Sequence, residues 1–257
     1  MKIVVVTGAS SGMGRDFAIE LDKRYQFDEI WLIARREDKL NELRKELKAK
    51  SRALAYDLTD DNSFVEYEKL LKENNAEVSY LVNASGYGKF GDSDEVSLSE
   101  QLGMIDLNIK ALVKITYITK PFMAEGSKIL QLGSASTYNP LQHFSIYCST
   151  KAFVKFYSRS IAREYKKDKI TVTCVCPGWV KTEFFNRAEI NEKSKNTFAK
   201  PAVDSISVVK KAIIDAEKGK DVSMYGLYNN FHHLLSKILP HSVMMRMWEN
   251  KYKRSKK

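Results

Sequence analysis

The segment Thr7-Gly8-Ala9-Ser10-Ser11-Gly12-Met13-Gly14 stands between the apolar, β-branched run of residues 2–6 and a stretch of helical period over 13–24. This context constrains the fold strongly. A glycine-rich turn between strand and helix aims backbone N–H groups and a helix N-terminus at one point, the arrangement that binds a pyrophosphate. Each glycine has its own reason: Gly8 for a tight turn, Gly12 for close phosphate approach, Gly14 for packing helix on sheet. Ser10, Ser11 and Met13 complete the loop.

The rest of the chain repeats the alternation. Short apolar runs predict strands over 2–6, 29–34, 53–56, 80–83, 128–132 and 170–176, with helices over 13–24, 36–49, 61–74, 99–124 and 149–167 between them. Strands read as continuous apolar runs when both faces are buried, so the sheet is parallel with helices on each side. Beyond residue 182 the pattern loosens: 183–200 reads as a polar loop or lid, 203–218 as a helix, and 222–228 as a last strand. The expectation is one α/β domain over 1–257. It has a Rossmann-type, doubly wound parallel sheet of about seven strands, a substrate lid at about 183–200 and a basic amphipathic extension at about 229–257.

No apolar run approaches the ~20 residues of a membrane span. The first residues lack a signal-peptide pattern, because Gly8 opens the loop directly after a short apolar run. Cys148, Cys174 and Cys176 are odd in number and lie in apolar surroundings, which suits free thiols in a reducing, cytoplasmic setting. Net charge is +10. From 231 onward, however, seven Lys or Arg face Glu249 alone, so much of the excess lies in the tail and does not mark a nucleic-acid surface. Three of the four histidines, His232, His233 and His241, sit in that tail without ligand spacing, so no metal is expected. The fourth, His143, reads as a surface loop residue near the substrate mouth.

The end of the second strand runs Trp31-Leu32-Ile33-Ala34-Arg35-Arg36. An NAD site places an acidic residue there for the ribose hydroxyls. Two guanidinium groups instead suit a 2′-phosphate, bidentate and charge-assisted, and select NADP(H), with NADPH preferred over NADH. The alternative is that Arg35 and Arg36 simply begin a solvated helix. Further on, Tyr147 and Lys151 are four apart on one helix face, and Ser134 ends a strand at the carboxyl edge of the sheet, thirteen residues before Tyr147. A neighbouring ammonium favours the phenolate and so draws a tyrosine toward working pH. Ser134 can then hold a carbonyl while Tyr147 moves a proton.

With these segments in order, the chain resembles the short-chain dehydrogenase/reductase family from residue 2 to about 182. The resemblance implies an adenine contact at Asp57, with Leu58 beside it. It implies a cofactor motif at Asn83-Ala84-Ser85-Gly86, where Ala84 and Ser85 depart from the usual Asn-Ala. It also implies a segment over the nicotinamide containing Pro177, Gly178, Val180 and Thr182. The implied catalytic set is Asn108, Ser134, Tyr147 and Lys151, with Tyr147 and Lys151 also touching cofactor and Ser136 a rival to Ser134. The implied reaction is hydride transfer between NADP(H) and a small-molecule carbonyl or secondary alcohol, by a homodimer or homotetramer. The alternative function is a non-catalytic, NADP-binding redox-sensing regulator. The tail, apolar with a basic end, either packs over the cleft or on a subunit, or lies on an anionic membrane surface; packing is favoured because nothing else covers a cleft.

Overall fold

The structure is a computed structural model that describes residues 1–188 and 202–256. Of the segment read as a lid, 189–200 lies outside the described residues. The elements are β1 (Lys2–Thr7), α1 (Gly12–Arg24), β2 (Glu29–Ile33), α2 (Glu37–Arg44), β3 (Ser51–Leu54), α3 (Asp61–Glu73), β4 (Glu77–Asn83) and α4 (Leu98–Ile105). They continue with α5 (Leu112–Thr119), β5 (Lys128–Leu132), α6 (Ser145–Glu164), β6 (Thr171–Val175), α7 (Phe184–Arg187), α8 (Ser205–Glu217), β7 (Val222–Ser223), α9 (Leu227–Ile238) and α10 (His241–Lys256).

All pairings are parallel, in the order β3-β2-β1-β4-β5-β6-β7. The apolar strands are explained by burial on both faces. Val4, Val6, Ile30, Leu32 and Leu130 meet Phe17 and Leu21 of α1 and Val209 and Ile213 of α8. Their neighbours Ile3, Val5, Trp31, Ile33 and Ile129 meet Tyr67 and Leu71 of α3, Ile115 of α5 and Ile161 of α6. Strand order reverses between β1 and β4, which opens a crevice at their carboxyl ends, the place where such sheets bind ligands.

Several elements differ from the sequence-based expectation; α2 ends at Arg44, before the expected 49, and β4 begins at Glu77, before the expected 80. The helix expected over 99–124 is a nearly continuous run from α4 to α5, widened into a π-turn at Asp106–Ala111 around Asn108. Such insertions change which side chains share a face and cluster at functional sites. Helix α6 begins at Ser145, four residues before the expected start, and so takes Tyr147 into its first turn. Strand β3 lies two residues earlier than 53–56. The strand expected over 222–228 shrinks to two residues, because Gly226 turns with φ +91° and starts α9 at Leu227. No described helix is long and apolar enough to cross a membrane.

Candidate functional site

One side chain holds the crevice between β1 and β4. The Thr7 hydroxyl accepts from the backbone N–H groups of Ala84 and Ser85 at 3.1 and 3.2 Å. Gly8 adopts φ +68°, and a Cβ there would lie 2.8 Å from the Ala84 carbonyl. A Cβ on Gly14 would come within 2.3 Å of the Gly8 oxygen. The turn therefore closes on backbone at both ends. Ser11 precedes α1 in extended backbone without a side-chain cap, and the first turn of α1 carries no acidic residue, so its N–H groups and positive dipole end remain available to an anion.

Met13, Ala84, Gly86, Val180 and Thr182 border a cavity of about 250 Å³. Thr182 closes over the loop: its Cγ2 lies 3.3 Å from where a Gly12 Cβ would stand. Pro177 and Gly178 border the same cavity, with the Pro177 carbonyl accepting from the Ala135 N–H at 2.7 Å. At the end of β2, Arg36 donates to the Ser10 hydroxyl at 3.2 Å and to Glu183 at 3.1 Å. Arg35 lies 3.9 Å from Asp57 and is well exposed. Against the upward push of partial burial, the N–H and hydroxyl of Thr59 and the Arg35 guanidinium hold the Asp57 carboxyl below its ordinary value.

The opposite wall carries Ser134, Tyr147 and Lys151. Ser134 leaves β5 in extended backbone, φ −164°, its hydroxyl accepting from the Ser136 N–H at 3.1 Å and lying close enough to the Tyr147 phenol to lower its pKa. Phe144 stacks on the Tyr147 ring with centroids 4.4 Å apart, and Phe184 lies 5.3 Å from it. Lys151, one turn on, is 4 % exposed. Its Nζ donates to the Leu132 carbonyl at 2.7 Å and stands 5.7 Å from the Tyr147 ring centre. Ser136 also borders the cavity, its hydroxyl buried without a partner among the described residues.

The electrostatics correct one expectation. Burial pushes the Tyr147 phenol up, with the Ser134 hydrogen bond pulling weakly the other way. Burial lowers Lys151 to about 8. The ammonium is engaged by the Leu132 carbonyl, and its relief of a phenolate is smaller than the cost of taking that anion out of water. In this structure Tyr147 is held as a phenol.

Three sequence-assigned residues sit behind the cavity rather than on it. Asn108, 1 % exposed, accepts from the Tyr87 N–H at 3.0 Å and donates to the Tyr87 carbonyl and the Thr150 hydroxyl at 2.9 and 3.0 Å. It pins the strand end after Gly86, where a Cβ would meet its Oδ1 at 2.8 Å and Lys151 Nζ at 3.4 Å. Asn83 donates inward to Thr116 and Gln131 at 3.1 and 3.0 Å. The Leu58 side chain packs in the core with Phe64, which leaves only its backbone for a ligand.

The outer wall holds Asn139, Leu141 and Trp179, together with residues of α9 and α10 that sequence reasoning did not assign: Tyr228, Met244 and Trp248. Trp248 Nε1 donates to the Gln142 carbonyl at 3.1 Å, tying α10 to the loop before α6. The apolar bulk of the tail was the available signal. His143 lies outside this wall, paired with Asp92 and stacked on Tyr252. Among the described residues no three His, Cys, Asp or Glu side chains form a metal cluster.

The sheet order and the glycine-lined crevice define a Rossmann-like nucleotide fold with its ligand cavity at the carboxyl edge of the strands. A family model described as short chain dehydrogenase matches residues 2–193, and the chain belongs to that family of oxidoreductases. It is similar to the very-long-chain 3-oxoacyl-CoA reductase of Rattus norvegicus, with 32% identity covering 79% of this chain and 68% of that one. It is also similar to an uncharacterized oxidoreductase of Staphylococcus epidermidis, at 28% identity over 76% of this chain and 84% of the relative. Among solved structures, a short-chain dehydrogenase from Sphingobium yanoikuyae in complex with NADPH superposes with a TM-score of 0.78 at 26% identity, covering 89% of each chain.

Proposed function

We propose that the protein interconverts a carbonyl and a secondary alcohol by hydride transfer with NADP(H). The observation that carries this reading is that Ser134, Tyr147 and Lys151 border one cavity with Met13 of the glycine loop. The residues fit a nicotinamide dinucleotide, because the turn at Gly8 and Gly14 closes tightly on backbone and leaves the uncapped N-terminus of α1 open to an anion. When bound, that cofactor supplies the hydride. Ser134 orients the carbonyl oxygen, Tyr147 gives its phenolic proton to the oxygen as negative charge develops there, and Lys151 holds positive charge beneath the exchange. Asn108 acts by positioning the Gly86–Tyr87 backbone. The rat relative is named for a 3-oxoacyl-CoA; the ketone alone is taken over here.

NADPH oxidation measured over a panel of ketones tests the reading. Tight NADPH binding without turnover on any of them would favour the redox-sensing regulator. Preference for NADPH rests on Arg35 and Arg36, exposed at the end of β2 with no acidic residue in their place. Charge-assisted bonds of this kind contribute about 1.5–3 kcal/mol each. The double variant Arg35→Ala/Arg36→Ala is expected to lose about 100-fold in kcat/KM for NADPH and little for NADH; an equal loss for both cofactors would refute the assignment.

The reduction rate is expected to fall as pH rises through about 8, where Lys151 loses its charge. The sign in stability is opposite. A lysine whose folded value is depressed from 10.5 releases its proton while the unfolded chain still holds one, so this group makes the fold more stable between about pH 8 and 10.5. A pH series of turnover and urea midpoints checks both, with Lys151→Met expected to lose both limbs.

The proposal includes a cytoplasmic homodimer or homotetramer. It is supported by three free, buried cysteines and by the exposed apolar side chains Leu98, Leu102, Tyr117 and Phe156 along α4, α5 and α6. Contact of the basic tail with an anionic membrane is its lesser part, supported by exposed Leu227, Phe231 and Ile238 on α9.

A further inference from the structure

Asn139 is 5 % exposed, borders the cavity with Ser134 and Tyr147, and among the described residues has no hydrogen-bond partner at either Oδ1 or Nδ2. Buried amides are nearly always paired, and one left without partners destabilises the fold. Asn108, as deeply buried, is bonded at both ends of its amide. The conformation of Asn139 is not easily relieved, since Pro140 follows it and holds it extended, at φ −144° and ψ 145°. Much of the cavity wall is carbon, from Leu141, Phe144, Trp179, Phe184, Met244 and Trp248, with Ser136, Tyr228, Asn229 and His232 adding polar lining.

We propose that Asn139 is a substrate-reading residue, its carboxamide hydrogen-bonding a second oxygen on a bulky, otherwise apolar ketone whose carbonyl lies at Ser134 and Tyr147. A hydroxyl satisfies the site fully, accepting from Nδ2 and donating to Oδ1. Ser134 and Asn139 stand at the two ends of the 3₁₀ turn Ala135–Tyr138, with its four residues between them, so the second oxygen stands several bonds from the carbonyl rather than on the adjacent carbon. This inference rests on the ketone-reductase reading of the site and specifies its substrate class.

The test uses matched ketones, 1-decalone against 5-hydroxy-1-decalone and 2-decalone against 6-hydroxy-2-decalone, with NADPH. The wild-type protein is expected to favour the hydroxylated member of at least one pair by about 10-fold or more in kcat/KM, and Asn139→Leu to bring that ratio close to one. Equal rates within both pairs, or a preference that survives Asn139→Leu, overturn the inference and leave the reductase reading standing. Reduction of none of the four ketones counts against both. Thermal melting without substrate gives a second readout that a merely structural amide would move the other way. Removing an unpartnered buried amide is expected to raise the melting temperature by about 2–4 °C, and a drop in its place overturns the inference.

Discussion

Tyr147→Phe is expected to lower carbonyl reduction by about 10³-fold while NADPH affinity stays within about twofold. The change removes one oxygen from a ring already packed against Phe144 and Phe184, so the cavity keeps its shape. Ser134 still accepts the Ser136 N–H, and the local cost is at most that of one hydrogen bond, about 1 kcal/mol. What disappears is the phenolic proton assigned to the carbonyl oxygen. The Lys151 ammonium stays nearby but is held by the Leu132 carbonyl, and Cys148, the adjacent ionisable side chain, does not border the cavity. Single-turnover rates and a fluorescence titration with NADPH separate chemistry from binding. Undiminished turnover would mean that the proton comes from elsewhere and would sink the assignment of Tyr147.

The fold was legible where one physical requirement dominated. Residues 3–6 and 30–33 are apolar at every position because both sheet faces are covered, and that pattern alone separates a parallel sheet from an antiparallel one. The glycine turn was legible because its steric demands leave few other residues possible. Ser134, Tyr147 and Lys151 could be read from helical spacing and strand ends. What escaped depended on three-dimensional context. The π-turn at Asn108 adds one residue to a turn and has no composition of its own. The direction of the Tyr147 shift depends on how deeply its ring is buried, which a four-residue spacing does not encode. Asn139 reads as an ordinary loop residue before a proline until its missing partners are counted.

Gly14→Ala is expected to cost about 2–4 kcal/mol of stability and to abolish nucleotide binding, although alanine is the better helix former by about 1 kcal/mol. The reason is that the added methyl would stand 2.3 Å from the Gly8 oxygen and 2.7 Å from its carbonyl carbon. Both are backbone atoms. They cannot swing aside as a side-chain end would, and Gly8 itself is pressed against Ala84 just after β4. Any adjustment must therefore move α1 away from β1, opening the turn whose N–H groups would meet a pyrophosphate. Gly126→Ala provides the contrast. Gly126 has φ +87° and nothing within 4 Å of a Cβ, so its substitution carries backbone strain alone, about 1–2 kcal/mol. Urea unfolding of the two variants, with and without NADPH, distinguishes these costs. Added NADPH should stabilise Gly126→Ala as it does the wild type and leave Gly14→Ala unchanged. If Gly14→Ala were no less stable than Gly126→Ala and still gained from NADPH, the close contact between the turn and α1 would not be what builds the nucleotide site.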